Sequence, residues 1–352
     1  MVFLDWASTS PVVKYPCSNY GQFMNVNANY AYKEKKLLKE CEDKVKKAIG
    51  AKCGKVIFGG TSSQLIENLF NAMQTNYYAC DIICSVYEHE SFFRYQDDSV
   101  KTLAELKGSL QLEPNDRTPF VVWQGVNNIT GEIFSVKQIG ELIHEYNGFY
   151  ICDGTAQIGH TPIEPNIDDW CDFYVFSGHK LGTELGIGCC WVSDRLDKWL
   201  NGFKLHGTPN LAGALAIADA TEDAIGNVKD NVHHWVDLYC YLKKELEENG
   251  IEYNVVIGGA EWGKWAPAIN AIRLSGFNAR ALQSYLASKE IYIGLGQSSC
   301  ADKADRRVLC QGYGLSKQEA DEVIRISFSL DSSVEDVKAL IDGIVAFRKE
   351  YL

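Results

Sequence analysis

Apolar residues recur at helical spacing in two long stretches, residues 32–49 and 232–248, with lysines and glutamates filling the opposite faces. The first stops at Gly50 and the second at Asn249-Gly250, residue types that favour the left-handed turn closing a helix. Between them, short apolar runs at 55–58, 82–86, 120–123, 148–152, 173–176 and 188–192 predict strands. Helical patterns at 63–75, 102–108 and 136–146 fall among these runs. Strands that alternate with helices predict an α/β fold built on a mostly parallel, doubly wound sheet. After about residue 225 the texture changes. A strand at 270–274, a helix at 279–289, a loop near 294–305, a strand at 323–329 and a closing helix predict a smaller α+β C-terminal domain. The expected division is a large domain over 15–225 and a small one formed by 1–14 with 226–352.

Composition narrows the function classes. A chain of 352 residues, 46% hydrophobic, can bury more than one core. Its net charge of −12 repels phosphate backbones, which argues against nucleic acid as a partner. No apolar run reaches the roughly 18 residues needed to span a bilayer, and MVFLDWASTSP lacks the layout of a signal peptide. Twelve cysteines are scattered without zinc-site spacing, so the expectation is reduced, mostly buried thiols in a cytoplasmic protein, with no metal.

Five segments place polar residues just past strands. In "VIFGGTSSQLIENLF" (56–70), small residues precede a helix, and Ser62 and Ser63 with the free backbone N–H groups could hold a phosphate. The same segment also fits a tight turn with a serine cap. In "YICDGTAQIGHTPIE" (150–164), Asp153 ends a strand, where it could hold a protonated ring nitrogen or simply cap the next turn. "SVYEHESFF" and "VWQGVNNITGEIF" offer His89 for stacking on a planar ligand and Asn128 for donating to one of its oxygens; each also reads as a turn residue. "DFYVFSGHKLGTELGIGCCWV" (172–192) sets Lys180 between two apolar runs. Shielded from water there, its amine would be a nucleophile suited to Schiff-base formation; the alternative is a loop lysine facing solvent. The four polar strand ends besides the Lys180 stretch, in consecutive strand–turn units, are better explained by one shared site than by four separate turns.

The order LDWASTSP, VIFGGTSS, EHES, NNITGEI, ICDGTAQIGHTPIE and SGHKLGTELGIGCCWV resembles the class V enzymes of fold type I that use pyridoxal 5'-phosphate, above all the cysteine desulfurases. "SSCADKADRRVLCQGYGLSKQEADEVIRISFSLDSS" resembles the same family's cysteine loop and terminal element, so the motifs span residues 3–335. The resemblance implies Lys180 as the Schiff-base lysine and Asp153 as the partner of the pyridine nitrogen. It implies His89 stacked on the ring, Asn128 on its phenolic oxygen, and Ser62, Ser63, Ser177 and His179 on the phosphate. Thr208 matches a threonine that crosses from a partner subunit, which implies a homodimer. Arg325 matches the arginine that grips the substrate carboxylate, and Cys300 the nucleophilic cysteine.

The implied reaction takes L-cysteine to L-alanine, with sulfur passing to Cys300 as a persulfide and on to an acceptor, for which a sulfur-acceptor protein is one candidate. Lys303, Arg306 and Arg307 stand close enough in sequence to lower the thiol's pKa. The alternatives are another class V activity, an aminotransferase or β-lyase, or a degenerate cofactor-binding scaffold in sulfur transfer. The departures from the family pattern are Ala156 where a glutamine is usual, with Gln157 one place later; Ser63 for threonine; Leu205 for arginine; and a short segment between His89 and Asn128.

Overall fold

The structure, a computed structural model, describes residues 1–73, 80–112, 117–257, 263–297 and 305–352. It divides into two compact units, one of Val12–Gly125 with Phe134–Asn227 and one of Met1–Pro11, Val126–Ile133 and Val228–Leu352. The first strand, β1 (Val2–Leu4), belongs to the second of these. In the first, β2 (Lys55–Gly59), β3 (Cys80–Ser85), β4 (Asp98–Val100), β5 (Thr118–Val122), β6 (Phe149–Asp153), β7 (Phe173–Ser177) and β8 (Gly188–Val192) form a sheet. Their order is β2-β8-β7-β6-β5-β3-β4. Every pair from β7 to β4 is parallel, while β8 runs antiparallel to both β7 and β2.

The lone reversal has a simple cause. Parallel neighbours need a crossover of a dozen or more residues, and only 178–187 separate β7 from β8. Residues of β6, β7 and β8 are buried throughout, as expected for strands covered on both faces. Helices α1 (Tyr32–Ile49), α2 (Ser62–Met73), α3 (Glu90–Phe93), α4 (Leu103–Leu112), α5 (Val136–Glu145), α6 (Asp194–Trp199) and α7 (Leu211–Gly226) complete the unit. Leu65, Ile66, Leu69 and Phe70 form the apolar stripe of α2 and enter one core with Phe120, Ile151 and Phe173.

The second unit carries β9 (Tyr253–Val255), β10 (Ile269–Leu274), β11 (Ile291–Leu295) and β12 (Val323–Ser327) in the order β1-β11-β12-β10-β9. Helices α8 (Val228–Glu248), α9 (Ala279–Ala287), α10 (Lys317–Asp321) and α11 (Val334–Tyr351) belong to it. The segment Val126–Ile133, expected inside the large domain, groups here instead. It folds into a turn bridged by Val126 and Ile133, and Glu132 pairs with Trp265. Gly131 has φ +77°, and a side chain there would come within 2.4 Å of the Ile269 carbonyl.

Several expectations need correction. The loop expected near 294–305 begins with the last residues of β11, and β1, β4 and β9 lie where no strand was foreseen. α7 was also unforeseen: LAGALAIADATEDAIG has eight buried positions over a wide face and, with apolar Leu215 off it, leaves no single apolar stripe to read. α8 starts four residues before the expected 232, and α4 runs on to Leu112. Residues 74 and 75 of the expected 63–75 helix lie outside the described residues. Seven of the eleven described cysteines are buried, in line with the expectation for most of them, while Cys53 and Cys240 are exposed. No helix among the described residues is long and apolar enough to cross a membrane.

Candidate active site

The carboxyl ends of the parallel strands gather most of the expected residues in the first unit. Asp153 is the last residue of β6 and is paired with Val175 of β7. It is 9% exposed, and its Oδ1 accepts the Thr155 N–H at 2.9 Å. Ser177, the last residue of β7, is buried. A single 3-10 turn, Gly178–Leu181, then carries His179 and Lys180. That turn is tight because Gly178 has no side chain: a Cβ would meet Thr183 Oγ1 at 2.5 Å. Lys180 is half-buried, neither enclosed in the core nor free in solvent.

The start of α2 lies against the same region. Ser177 pairs with Gly188 of β8, and Gly188 pairs with Gly59 of β2. A Cβ on Gly188 would reach Ser62 N at 2.5 Å, so the glycine lets the helix start approach the sheet. The cap is Thr61, not a serine: its Oγ1 accepts the Gln64 N–H at 3.0 Å, and Gln64 Oε1 accepts the Gly60 N–H at 2.8 Å. Ser62 and Ser63 are the first two residues of a twelve-residue helix, where backbone N–H groups and the helix dipole favour an anion.

Two imidazoles share the electrostatic field of Lys180. Burial pushes the His179 pKa down to about 4, and the Lys180 charge pushes the same way. His160, which sequence reasoning did not single out, is also pushed down to about 4 by burial and then by Lys180. Its Nδ1 lies 3.2 Å from the Ala156 carbonyl, which works against that shift. Both rings are therefore neutral near pH 7.

His89 caps α3. Its Nδ1 accepts the Ser91 N–H at 3.2 Å, which leaves the proton of the neutral ring on Nε2. Just before it, buried Glu88 accepts from Ser85 Oγ at 2.5 Å and from the Gln124 N–H at 2.8 Å, tying the ends of β3 and β5 together. Thr208 is exposed and, with Gly59, Gly60, Gln64 and Gly186, lines an open cavity of about 720 Å3.

Asn128 and Arg325 lie in the second unit. Arg325 is 3% exposed; its Nη1 donates to the Asn128 carbonyl at 2.9 Å, and its Nη2 to Asp5 Oδ1 and Ser8 Oγ at 2.6 Å each. Its Nε is buried with no acceptor among the described residues. Asp5 and Ser8 were not foreseen as its partners, although LDWAS is the motif that contains them. Cys300 lies outside the described residues, as does Lys303. Arg306 is held by Asp321 at 2.6 and 2.9 Å, and Asp321 also accepts from Gln297. Arg307 pairs with Asp305 at 3.5 Å, so both arginines have carboxylate partners of their own.

The displaced glutamine faces inward. Gln157 is 2% exposed, and its Oε1 accepts the Tyr174 hydroxyl at 2.9 Å. It fills the place a side chain on Gly125 would take, while the Tyr174 ring fills that of Gly154. Its amide oxygen is thus committed to the sheet interior, and Ala156 stands where a glutamine would otherwise be.

A parallel sheet whose β6 ends in aspartate, whose β7 leads into Ser-Gly-His-Lys, and whose flank carries an anion-accepting helix start is the architecture of the fold-type I transferases. The aminotransferase class-V family profile matches residues 2–340, and the chain belongs to that family. It is 22% identical to a cysteine desulfurase IscS of Dictyoglomus turgidum, covering 97% of this chain and 93% of that one. It is 23% identical to a putative cysteine desulfurase of Bacillus subtilis, covering 96% of each. A NifS-like protein from Rickettsia africae shares its fold with a TM-score of 0.84 at 20% identity, over 99% of both chains.

Proposed function

We propose that the protein is a pyridoxal 5'-phosphate-dependent cysteine desulfurase. The observation that carries the reading is the placement of Asp153, Ser177, Lys180 and the α2 start along one sheet edge in one unit. These residues fit the cofactor's ring nitrogen, phosphate and aldehyde in turn. Ser62, Ser63, Ser177 and neutral His179 would hold the phosphate, Asp153 the ring nitrogen, and His89 and Asn128 the ring face and oxygen. Bound pyridoxal phosphate supplies an aldehyde that condenses with amines and a cationic ring that accepts electron density.

The chain's own residues do the rest. Asp153 keeps the ring nitrogen protonated through a charge-assisted hydrogen bond. Lys180, as a free amine, would take and return protons at the substrate's Cα and Cβ. The two imidazoles that share its field are neutral near pH 7, so neither adds a positive charge beside it. Arg325 holds the substrate carboxylate, for which guanidinium geometry is suited. Cys300 takes the sulfur: its Sγ forms an S–S bond as the substrate's Cβ–Sγ bond breaks. L-cysteine and the thiol become L-alanine and a persulfide, with no external oxidant. Exposed Thr208 supports a homodimer in which that threonine serves the partner's site.

The inward turn of Gln157 favours one second reading, a class V aminotransferase or lyase with altered cofactor contacts. One assay separates them. Purified protein loaded with pyridoxal phosphate should release alanine and sulfide from L-cysteine in equal amounts when a reductant is present. Cys300→Ala should keep the visible absorbance of the bound cofactor and lose sulfide release. Undiminished sulfide release by that variant refutes the persulfide role, and wild-type protein that forms no alanine refutes the desulfurase reading.

A further inference from the structure

The Val126–Ile133 turn is fixed at two ends by side chains far away in sequence. At one end, the Asn128 carbonyl accepts from Arg325 Nη1 at 2.9 Å. At the other, Tyr313 Oη lies 2.7 Å from Glu132 Oε2 and 2.7 Å from Thr130 Oγ1. A tyrosine hydroxyl has one proton to give, and the carboxylate is the stronger acceptor. Tyr313 therefore donates to Glu132 and accepts from Thr130, and Thr130 Oγ1 in turn accepts the Glu132 N–H at 3.3 Å. The result is a chain of hydrogen bonds that closes on the turn itself.

Stability alone is a weak reason for this arrangement. Thr130 is fully buried and Glu132 half-buried, and burial raises the Glu132 carboxyl's pKa while the Tyr313 bond opposes that shift. An apolar side chain would be less costly to bury there. What the carboxylate and hydroxyl add is direction. Asn127 sets the inner curvature, with its Oδ1 accepting the N–H groups of Ile129 and Thr130 at 2.8 and 3.0 Å. Tyr313 fixes where the far limb of that curve lies, and hence where the Asn128 carbonyl meets Arg325.

We propose that Glu132 and Tyr313 are positioning residues that set the Asn128 turn, and through it the orientation of the Arg325 guanidinium toward a substrate carboxylate. The proposal rests on the reading that Arg325 holds that carboxylate. Loss of the joint weakens binding of the carboxylate in the resting state and in the transition state alike, so it raises KM and leaves kcat nearly unchanged.

The test uses the full-length protein loaded with pyridoxal phosphate. Tyr313→Phe should raise KM for L-cysteine about ten-fold, the size expected from one lost hydrogen bond of ordinary strength, with kcat within about two-fold. Glu132→Gln keeps an oxygen acceptor for Tyr313 and should rescue KM to near the wild-type value, whereas Glu132→Leu should match Tyr313→Phe. An unchanged KM in Tyr313→Phe, or a fall in kcat at constant KM, overturns the proposal. Binding of unreactive L-alanine, followed by the cofactor's visible absorbance, tests the joint apart from desulfuration. Its Kd should rise by the same factor in Tyr313→Phe even if wild-type protein makes no sulfide. An unchanged Kd overturns the joint, and no L-alanine response in the wild type refutes Arg325 as carboxylate holder and the joint with it.

Discussion

Arg325→Lys tests whether the buried guanidinium is a built carboxylate site. In the structure, three acceptors converge on it at 2.6–2.9 Å: Asp5 Oδ1, Ser8 Oγ and the Asn128 carbonyl. A side chain on Gly294 would come within 2.7 Å of Nε, so the head is packed as well as bonded. Lysine places three donors on one nitrogen, with no planar fork. It can keep the Asp5 ion pair but not also reach Ser8 and the Asn128 carbonyl. Two hydrogen bonds from a charged donor are then lost, each about 1.5–3 kcal/mol. The retained ion pair and local water offset part of this, for a net destabilisation of roughly 2–4 kcal/mol. At about 1.5 °C per kcal/mol for a chain of this length, the melting temperature should fall by about 3–6 °C. The KM for L-cysteine should rise at least about ten-fold if Arg325 holds the carboxylate, since an ammonium does not reproduce the guanidinium N–H groups, Nε among them, that Asp5, Ser8 and Asn128 leave unused. Differential scanning calorimetry and initial-rate assays on the same preparation measure both. Wild-type melting together with wild-type KM in the Arg325→Lys variant would refute the idea that fork geometry, rather than charge, is what this position supplies.

Two further outcomes concern the first unit. Tyr174→Phe leaves Gln157 Oε1 buried without its 2.9 Å donor, which costs about 1–3 kcal/mol of stability while cofactor absorbance is unchanged; wild-type stability in that variant would show that the bond is not worth making. His160 and His179 titrate near 4 when folded, against about 6.5 unfolded, so the unfolded chain binds more protons between those values. Their contribution to stability is complete above about pH 6.5 and declines as pH falls toward 4. Imidazole proton resonances, assigned through His160→Gln and His179→Gln, should stay constant from about pH 8 to about pH 5; a midpoint near 6.5 for either ring would contradict its depressed pKa.

The pattern of the chain reveals what is local. Six of the seven strands of the large sheet are continuous apolar runs between helices, and Asp153, Ser177 and Lys180 sit at or just after strand ends, so sequence neighbours suffice to place them. Long-range pairing stays hidden. β1 is three residues long and acquires its identity from Val2 meeting Ile291, and Asp5 becomes a partner of Arg325 across 320 residues. The Tyr313–Glu132 bond spans 181 residues and has no local signature at either end. The bounds of α7 were hidden for a different reason: its eight buried positions form a wide face, and apolar Leu215 lies off it, which blurs the periodicity on which such a reading depends.

Gln157 shows how a residue can be visible while its role is not. Residues 154–158 wind in a helical step, with the Ile158 N–H bonded to the Gly154 carbonyl. One position along such a winding rotates a side chain by about 100°. A glutamine at 157 rather than 156 therefore faces a different direction, and here that direction is the sheet interior. Two glycines make room for it: Gly125, whose Cβ would lie 2.3 Å from the amide oxygen, and Gly154, whose Cβ would lie 2.1 Å from the Tyr174 ring. The hydroxyl of Tyr174 then supplies the donor that a buried amide oxygen needs. Gly125, Gly154, Gln157 and Tyr174 thus act as one unit, and changing any one alone leaves either a clash or an unsatisfied polar atom.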